Sequence, residues 1–182
     1  MMQNDKIANQ YTGTIKAIAE AWNRQDIERL LSYLDDDIYW DDPAMEEPVR
    51  GHDMLKDFAL SFWEAFPDAR YIPLQDIFLS PEQTKMAHRF TMTGTMLGQL
   101  PPGFAPTGRR FEIDGLEMIE FHEKKVYRII TRIDGLKVAE QLGLLPPRLK
   151  AGSRKAKIAC SFQRFIAWYL RRSARKTWDE AW

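Results

Sequence analysis

The chain has 182 residues, 45% of them hydrophobic and 29% charged, which is room for one globular domain with a sizeable core and some excess. Its 26 Lys/Arg balance its 26 Asp/Glu, and that neutrality argues against a dedicated nucleic-acid binder. The balance is uneven, because residues 147–182 hold ten Lys/Arg and two Asp/Glu, so an acidic body precedes a basic tail. Cys160 is the one cysteine, so no intrachain disulfide forms and a reducing compartment is expected. The opening run MMQNDKIANQYTGTIK lacks the apolar segment of a signal peptide. No stretch approaches the roughly 18 apolar residues of a membrane span. A cytoplasmic protein is expected.

Residues 7–22 place Ile7, Tyr11, Ile15, Ile18, Ala19 and Trp22 on one helical stripe. Asp26 is an N-cap for a short helix over 27–34, with Ile27, Leu30, Leu31 and Leu34 inward. The acidic stretch LDDDIYWDDPAMEEPVRGH follows. Its run Asp35-Asp36-Asp37 reads as a helix end and turn, and residues 38–42 as a strand. Alternation puts Ile38, Trp40 and Asp42 on one face, with Tyr39 and Asp41 on the other. Pro43 has no amide proton for a ladder and ends the strand. Met54, Leu55, Phe58, Phe62 and Phe66 recur at three and four along a helix over 51–66, stopped by Pro67.

Residues 70–79 read as a strand, and Ser80-Pro81-Glu82 as a turn. A long strand over 83–97 puts Met86, His88, Phe90, Met92 and Met96 on one face, and Gly94 predicts a bulge or bend. Residues 98–108, rich in proline and glycine, form a wide loop over an opening. In 109–121, Phe111, Ile113, Gly115, Glu117, Ile119 and Phe121 face one way, while Arg110, Glu112, Asp114 and Glu120 face the other. The last strand, 126–133, carries Tyr127, Ile129, Thr131 and Ile133 on one face. Asp134 opens a short helix through Leu142, with Gly143 as its C′ residue. This order predicts an α+β fold: a meandering antiparallel sheet with helices on one side, bent into a cone around a cavity.

Asp42 and Glu117 are carboxylates on the apolar side of strands. Burial raises the pKa of such a group, and a second carboxylate nearby raises one of the two further. One then stays neutral and donates a hydrogen bond while the other takes a proton, a division suited to proton abstraction next to a carbonyl. The simpler alternatives are that Asp42 caps the turn at Pro43 and that Glu117 pairs with Arg89 or Arg132. Asp134 reads first as a helix cap. Trp40, Phe58, Phe62, Met92 and Met96 are candidate pocket residues, although side chains at these spacings are more often core, and His88 is another, although a satisfied core histidine is the commoner case. No two of the three histidines have metal-ligand spacing, and neither a phosphate loop nor a nucleophile elbow is present. No metal or cofactor is expected. In the tail, Ile158, Phe162, Phe165, Ile166 and Tyr169 share a helical face flanked by Arg164, Arg171, Arg172 and Arg175. Such a basic amphipathic helix contacts an anionic membrane surface or a partner, or packs against its own body or another subunit.

The layout, with LDDDIYWDDP, resembles the nuclear transport factor 2-like superfamily. Within it, PTGRRFEIDGLEMIEF and the ending DGLKVAEQLGLLPP resemble the SnoaL-like polyketide cyclases. The most specific parts are Pro106-Thr107-Gly108-Arg109 and Gln141-Leu142-Gly143. The resemblance implies a cone-shaped, cystatin-like curved antiparallel sheet wrapped around N-terminal helices. It also implies a deep apolar pocket for a small-molecule ligand, and a homodimer. The pocket domain would span 1–147, with 148–182 as an extension carrying an extra C-terminal helix. In these cyclases an aspartate of the last strand acts as general acid/base in an aldol closure. It falls on Thr131, a candidate pocket residue with Asp134, and the cyclase histidine falls on Glu117. The Asp42 segment is also similar to that of ketosteroid isomerases. Their proton-shuttling aspartate falls on Asp42, their oxyanion-binding aspartate on Glu117, and their oxyanion-binding tyrosine on Ile18. The resemblance thus implies a cofactor-independent cyclase or isomerase, with Asp42 as base and Glu117 as acid or donor. A non-catalytic ligand- or protein-binding module of the same fold is the alternative, and Thr131 and Ile18 favour it.

Overall fold

The computed structural model describes residues 2–146 and 149–179, with side chains over 7–74, 77–146 and 149–168. The chain divides into two units, Met1–Pro146 and Pro147–Trp182. Among its described residues the second holds one helix, α5 (Arg154–Asp179). The first begins with α1 (Met2–Asn23), whose stripe buries Tyr11, Ile15, Ala19 and Trp22. Asp26 accepts a hydrogen bond from the Arg29 amide at 3.1 Å and so caps α2 (Ile27–Ser32). Then come β1 (Leu34–Asp41), β2 (Val49–Arg50), α3 (Gly51–Ala65), β3 (Arg70–Leu79), β4 (Lys85–Thr95), β5 (Arg110–His122), β6 (Lys125–Ile133) and α4 (Gly135–Leu142).

The six strands form one curved, unclosed sheet in the order β2-β1-β6-β5-β4-β3. Every neighbouring pair is antiparallel except β1 and β6, which run parallel. The chain from β3 to β6 is a meander, and β1 closes onto its last strand from far away in sequence. The main core lies between this sheet and α1–α3, and includes Trp22, Leu30, Ile38, Leu55, Trp63, Phe90 and Ile129. A smaller cluster of Phe66, Met96, Phe111, Ile113 and Leu142 joins the end of α3 to α4. The clearest sequence alternation survives intact: β5 buries Phe111, Ile113, Gly115, Glu117, Ile119 and Phe121.

Four local expectations are corrected. The second helix stops at Ser32, and Leu34 opens β1 instead of closing the helix. Asp35, Asp36 and Asp37 therefore lie within a strand. The strand tolerates them because its register shifts between Leu34 and Tyr39, leaving the acids at the surface while Leu34 and Ile38 stay buried. Gly94 makes no bulge, since β4 and β5 pair without interruption through Gly94 and Phe111. It serves close packing, because a Cβ there would stand 3.0 Å from the Phe111 ring and 3.3 Å from Phe66. Tyr127 is exposed while Val126 and Ile129 are buried, because a register shift between Glu120 and Phe121 changes the phase of the hairpin. The two-residue β2, too short for a periodic signal, was not expected.

The Gln141-Leu142-Gly143 ending has a structural role. Gln141 donates to the Glu112 carbonyl at 3.1 Å and accepts from its amide at 2.7 Å, extending the pairing of β5 past the end of β6. Leu142 is buried, and Gly143 closes α4 in the left-handed conformation (φ 76°), with the Arg109 guanidinium where a side chain would stand.

Candidate functional site

Three neighbouring strands each contribute one polar residue to a single row. His88 of β4 lies directly opposite Glu117 of β5, and Glu117 lies opposite Thr131 of β6. Directly opposed residues on one face bring their side chains into contact. All three are buried, with His88 only 1% exposed and Glu117 6%. The strand periodicity that aims apolar neighbours inward aims these three inward as well.

Two aromatic residues complete the group. Trp40 of β1 donates from Nε1 to Thr131 Oγ1 at 2.9 Å. Tyr71 of β3 donates its hydroxyl to Glu117 Oε2 at 2.6 Å and stands 3.2 Å from His88 Nε2. Tyr71 is held by the end of α1, where the Asn23 side chain accepts from the Tyr71 amide and donates to its carbonyl, each at 2.8 Å. That two-point clamp fixes β3 at the residue whose phenol reaches the site. Burial and the adjacent Glu117 carboxylate, which accepts the phenol's proton in a hydrogen bond, push the Tyr71 pKa well above its ordinary value, so it acts as a donor.

The orientation of His88 follows from its surroundings. Nδ1 lies 3.1 Å from the Arg89 carbonyl, which only accepts, so Nδ1 carries a hydrogen. Nε2 lies 3.1 Å from Glu117 Oε2, and a hydrogen bond there requires one proton between the two atoms. Glu117 thus receives the Tyr71 hydroxyl, shares a proton with His88 and lies 3.4 Å from the Thr131 hydroxyl. Of the two arginines offered as an alternative partner, Arg89 and Arg132, the second donates to Asp41 Oδ2 at 2.8 Å on the outer side of the sheet.

Asp42 sits one residue beyond β1 and is half-buried. Its carboxylate accepts from the Ala44 amide at 2.8 Å, so it does cap the turn at Pro43. The same carboxyl is pushed up to about 6 from its ordinary 3.8. Burial is the main cause, and the Glu117 charge adds to it; the Ala44 amide and the Thr131 hydroxyl oppose the rise. The turn role and the raised pKa coexist in one side chain.

A cavity of about 40 Å³ lies between the sheet and α1, lined by Ile15, Ile18, Trp22, Trp40, Tyr71, Met92, Glu117 and Ile129 among others. Glu117 and Tyr71 are its polar wall. Asp42 does not line it and flanks the site beyond Thr131. A second space of about 20 Å³ reaches the other side of His88 beside Lys16 and Pro73. A space of 40 Å³ takes water, whereas a ring-sized apolar ligand needs about 150 Å³.

Of the other candidates, Phe58 and Phe62 are half-buried on α3 and pack into an aromatic cluster, Phe58 edge-on with its ring 5.5 Å from Trp40 and Phe62 tilted, 5.4 Å from Trp22. Asp134 is exposed and caps α4 by accepting from the Lys137 amide at 2.9 Å, apart from the His88–Glu117–Thr131 row. Sequence reasoning missed Tyr71. Its one signal was a polar-tipped aromatic within an apolar strand, and a buried tyrosine hydroxyl needs a partner; the irregular alternation of 70–79 concealed which way it pointed. Among the described residues, no three His, Cys, Asp or Glu side chains are gathered to hold a metal ion.

Several solved structures share this architecture. AclR of Streptomyces galilaeus, provisionally called a hydroxylase, is 25% identical with a TM-score of 0.66, over 88% of this chain and 98% of that one. IdmH of Streptomyces antibioticus, provisionally called a polyketide cyclase, is 25% identical with a TM-score of 0.60, over 72% and 97%. A SnoaL-like protein of Jannaschia sp. CCS1, 15% identical with a TM-score of 0.64 over 76% and 94%, shares the fold. No curated protein sequence matches. The family model for SnoaL-like polyketide cyclases matches residues 13–142, which is most of the chain and contains every residue of the buried row, so the protein belongs to the SnoaL-like polyketide cyclase family.

Proposed function

We propose that this protein is a small-molecule enzyme of the cyclase or isomerase kind, which transfers a proton next to a carbonyl of an apolar substrate without a cofactor. Asp42 is the base. Glu117, with the proton it shares with His88 and the phenol of Tyr71, stabilises the developing enolate. The observation that carries this reading is the raised Asp42 carboxyl, at about 6, beside a second buried carboxylate that has its own proton source. A base is most useful when its pKa lies near working pH, and an enolate is best held by donors in a site poor in water. The family position of the cyclase aspartate is Thr131 here, and Asp42 takes over the base role from the neighbouring strand. The tyrosine position of the isomerases is Ile18, and Tyr71 supplies a phenol from β3. A bound substrate requires the 40 Å³ cavity to open, which calls for movement of the half-buried Phe58 and Phe62 packed beside Trp40 and Trp22.

The test is deuterium exchange at the α-carbons of small aromatic ketones and β-keto esters, followed by proton NMR in heavy water. Exchange faster than in buffer, rising with pH through about 6 and abolished by Asp42→Asn, is the expected outcome. Exchange that Asp42→Asn leaves unchanged overturns the assignment, and ligand binding without any exchange favours the binding module. We also propose a homodimer formed by the outer sheet face. The support is a cross-strand row of Phe78, Ala87, Met118 and Ile130, with Phe78 65% and Met118 42% exposed. Light scattering of the wild type and Met118→Glu tests it, and a wild-type monomer refutes it.

A further inference from the structure

We propose that α5 lies in the surface of an anionic lipid bilayer and holds the protein there. This inference stands apart from the carboxylate chemistry above. Over its described side chains, Ile158, Phe162 and Phe165 recur at intervals of four and three and are 70%, 64% and 60% exposed. Trp168 is 53% exposed, with its ring 6.0 Å from that of Phe165. A stripe of this kind is large for a surface in water, where contiguous exposed apolar side chains mark an interaction site.

Charge points to an anionic occupant. At 100° per residue, Lys157 and Arg164 fall together on one border of the stripe, Lys155 falls on the other and Arg154 within it at its N-terminal end, and all four are exposed. In the sequence, Arg171, Arg172, Arg175 and Lys176 follow within the same helix, whose single acidic residue is Asp179 at its end. Aromatic and aliphatic side chains on one face with Lys/Arg beside them fit the boundary between acyl chains and anionic headgroups, where the long basic side chains reach up to the phosphates. The helix is not apolar enough to cross a bilayer, so it lies along the surface. A second copy of the helix is a poorer occupant, because antiparallel or parallel pairing would bring like-charged seams together.

Full-length protein is mixed with vesicles of phosphatidylcholine alone, and of phosphatidylcholine with phosphatidylglycerol in about a 7:3 ratio, and sedimented. The expected result is partitioning at least about tenfold stronger onto the anionic vesicles, reduced severalfold in about 0.5 M salt. Phe162→Glu/Phe165→Glu and Lys157→Glu/Arg164→Glu each remove it, with unchanged circular dichroism of the folded unit. Equal partitioning onto both vesicle types, or none onto either, overturns the proposal. Oligomers that Phe162→Glu/Phe165→Glu dissociates, in a protein that ignores vesicles, also overturn it and assign the stripe to a second copy of the chain.

Discussion

Replacing Asp42 by Asn should stabilise the protein, and by an amount that depends on pH. In the folded chain the Asp42 carboxyl titrates at about 6, against 3.8 for the ordinary group. Between these values the folded state holds a proton that the unfolded state has released. Stability contributed by this site therefore falls as pH rises from about 4 to about 6, then stays level. At about 1.4 kcal/mol per pH unit, the ionised carboxylate costs the folded state roughly 3 kcal/mol at pH 8, about half of that at pH 5, and well under 1 kcal/mol at pH 4. Asparagine removes that cost, and its oxygen still accepts from the Ala44 amide that Asp42 engages at 2.8 Å. Urea denaturation of both proteins from pH 4 to 8 should show Asp42→Asn more stable by up to roughly 3 kcal/mol, with the gain confined to the neutral end. A difference that is flat across the range, or a loss of stability at pH 8, would show that Asp42 is an ordinary turn residue in water. Because the same substitution should abolish proton transfer, a stability gain with loss of exchange would mark a base held in an unfavourable environment for its function.

Other substitutions probe the remaining contacts. Tyr71→Phe removes the 2.6 Å donor to Glu117 and should cost about 1 to 3 kcal/mol in chemical denaturation; a change too small to measure would mean that Glu117 finds an equal partner elsewhere. Thr131→Val leaves the Trp40 Nε1–H without its 2.9 Å acceptor, at a cost of about 1 to 2 kcal/mol. It also removes the hydroxyl that holds the Asp42 pKa down, so carbon-detected NMR should find Asp42 titrating above 6; a lower value contradicts the assigned cause. Gly115→Ala drives a methyl group into the Phe90 ring and toward Ile133, and should destabilise by at least about 1 to 3 kcal/mol in thermal or chemical unfolding.

Much of the site's geometry was legible in the chain because β5 is regular. A period of two from Phe111 to Phe121 fixes Glu117 inward whatever surrounds it, and the buried face of a strand has room for only one register. Asp42 was also identifiable, since Pro43 sets the limit of the strand that leads up to it. Its place one residue beyond β1, half in a turn and half toward the site, is a matter of degree that periodicity does not measure. Gln141-Leu142-Gly143 could be read from its local order, because a helix end and its left-handed glycine are short-range features.

The tertiary structure decided what depends on pairing between strands far apart in sequence. His88 was one more inward residue of β4 until the register set it opposite Glu117. Tyr71 entered through the pairing of β3 with β4, and Asn23, 48 residues earlier, clamps the strand at that position. The parallel closure of β1 onto β6 brings Trp40 to Thr131 across 91 residues. A strand's own pattern says which side chains point the same way. Which of them meet depends on register and on long-range contacts, and a single sequence encodes neither in any local form.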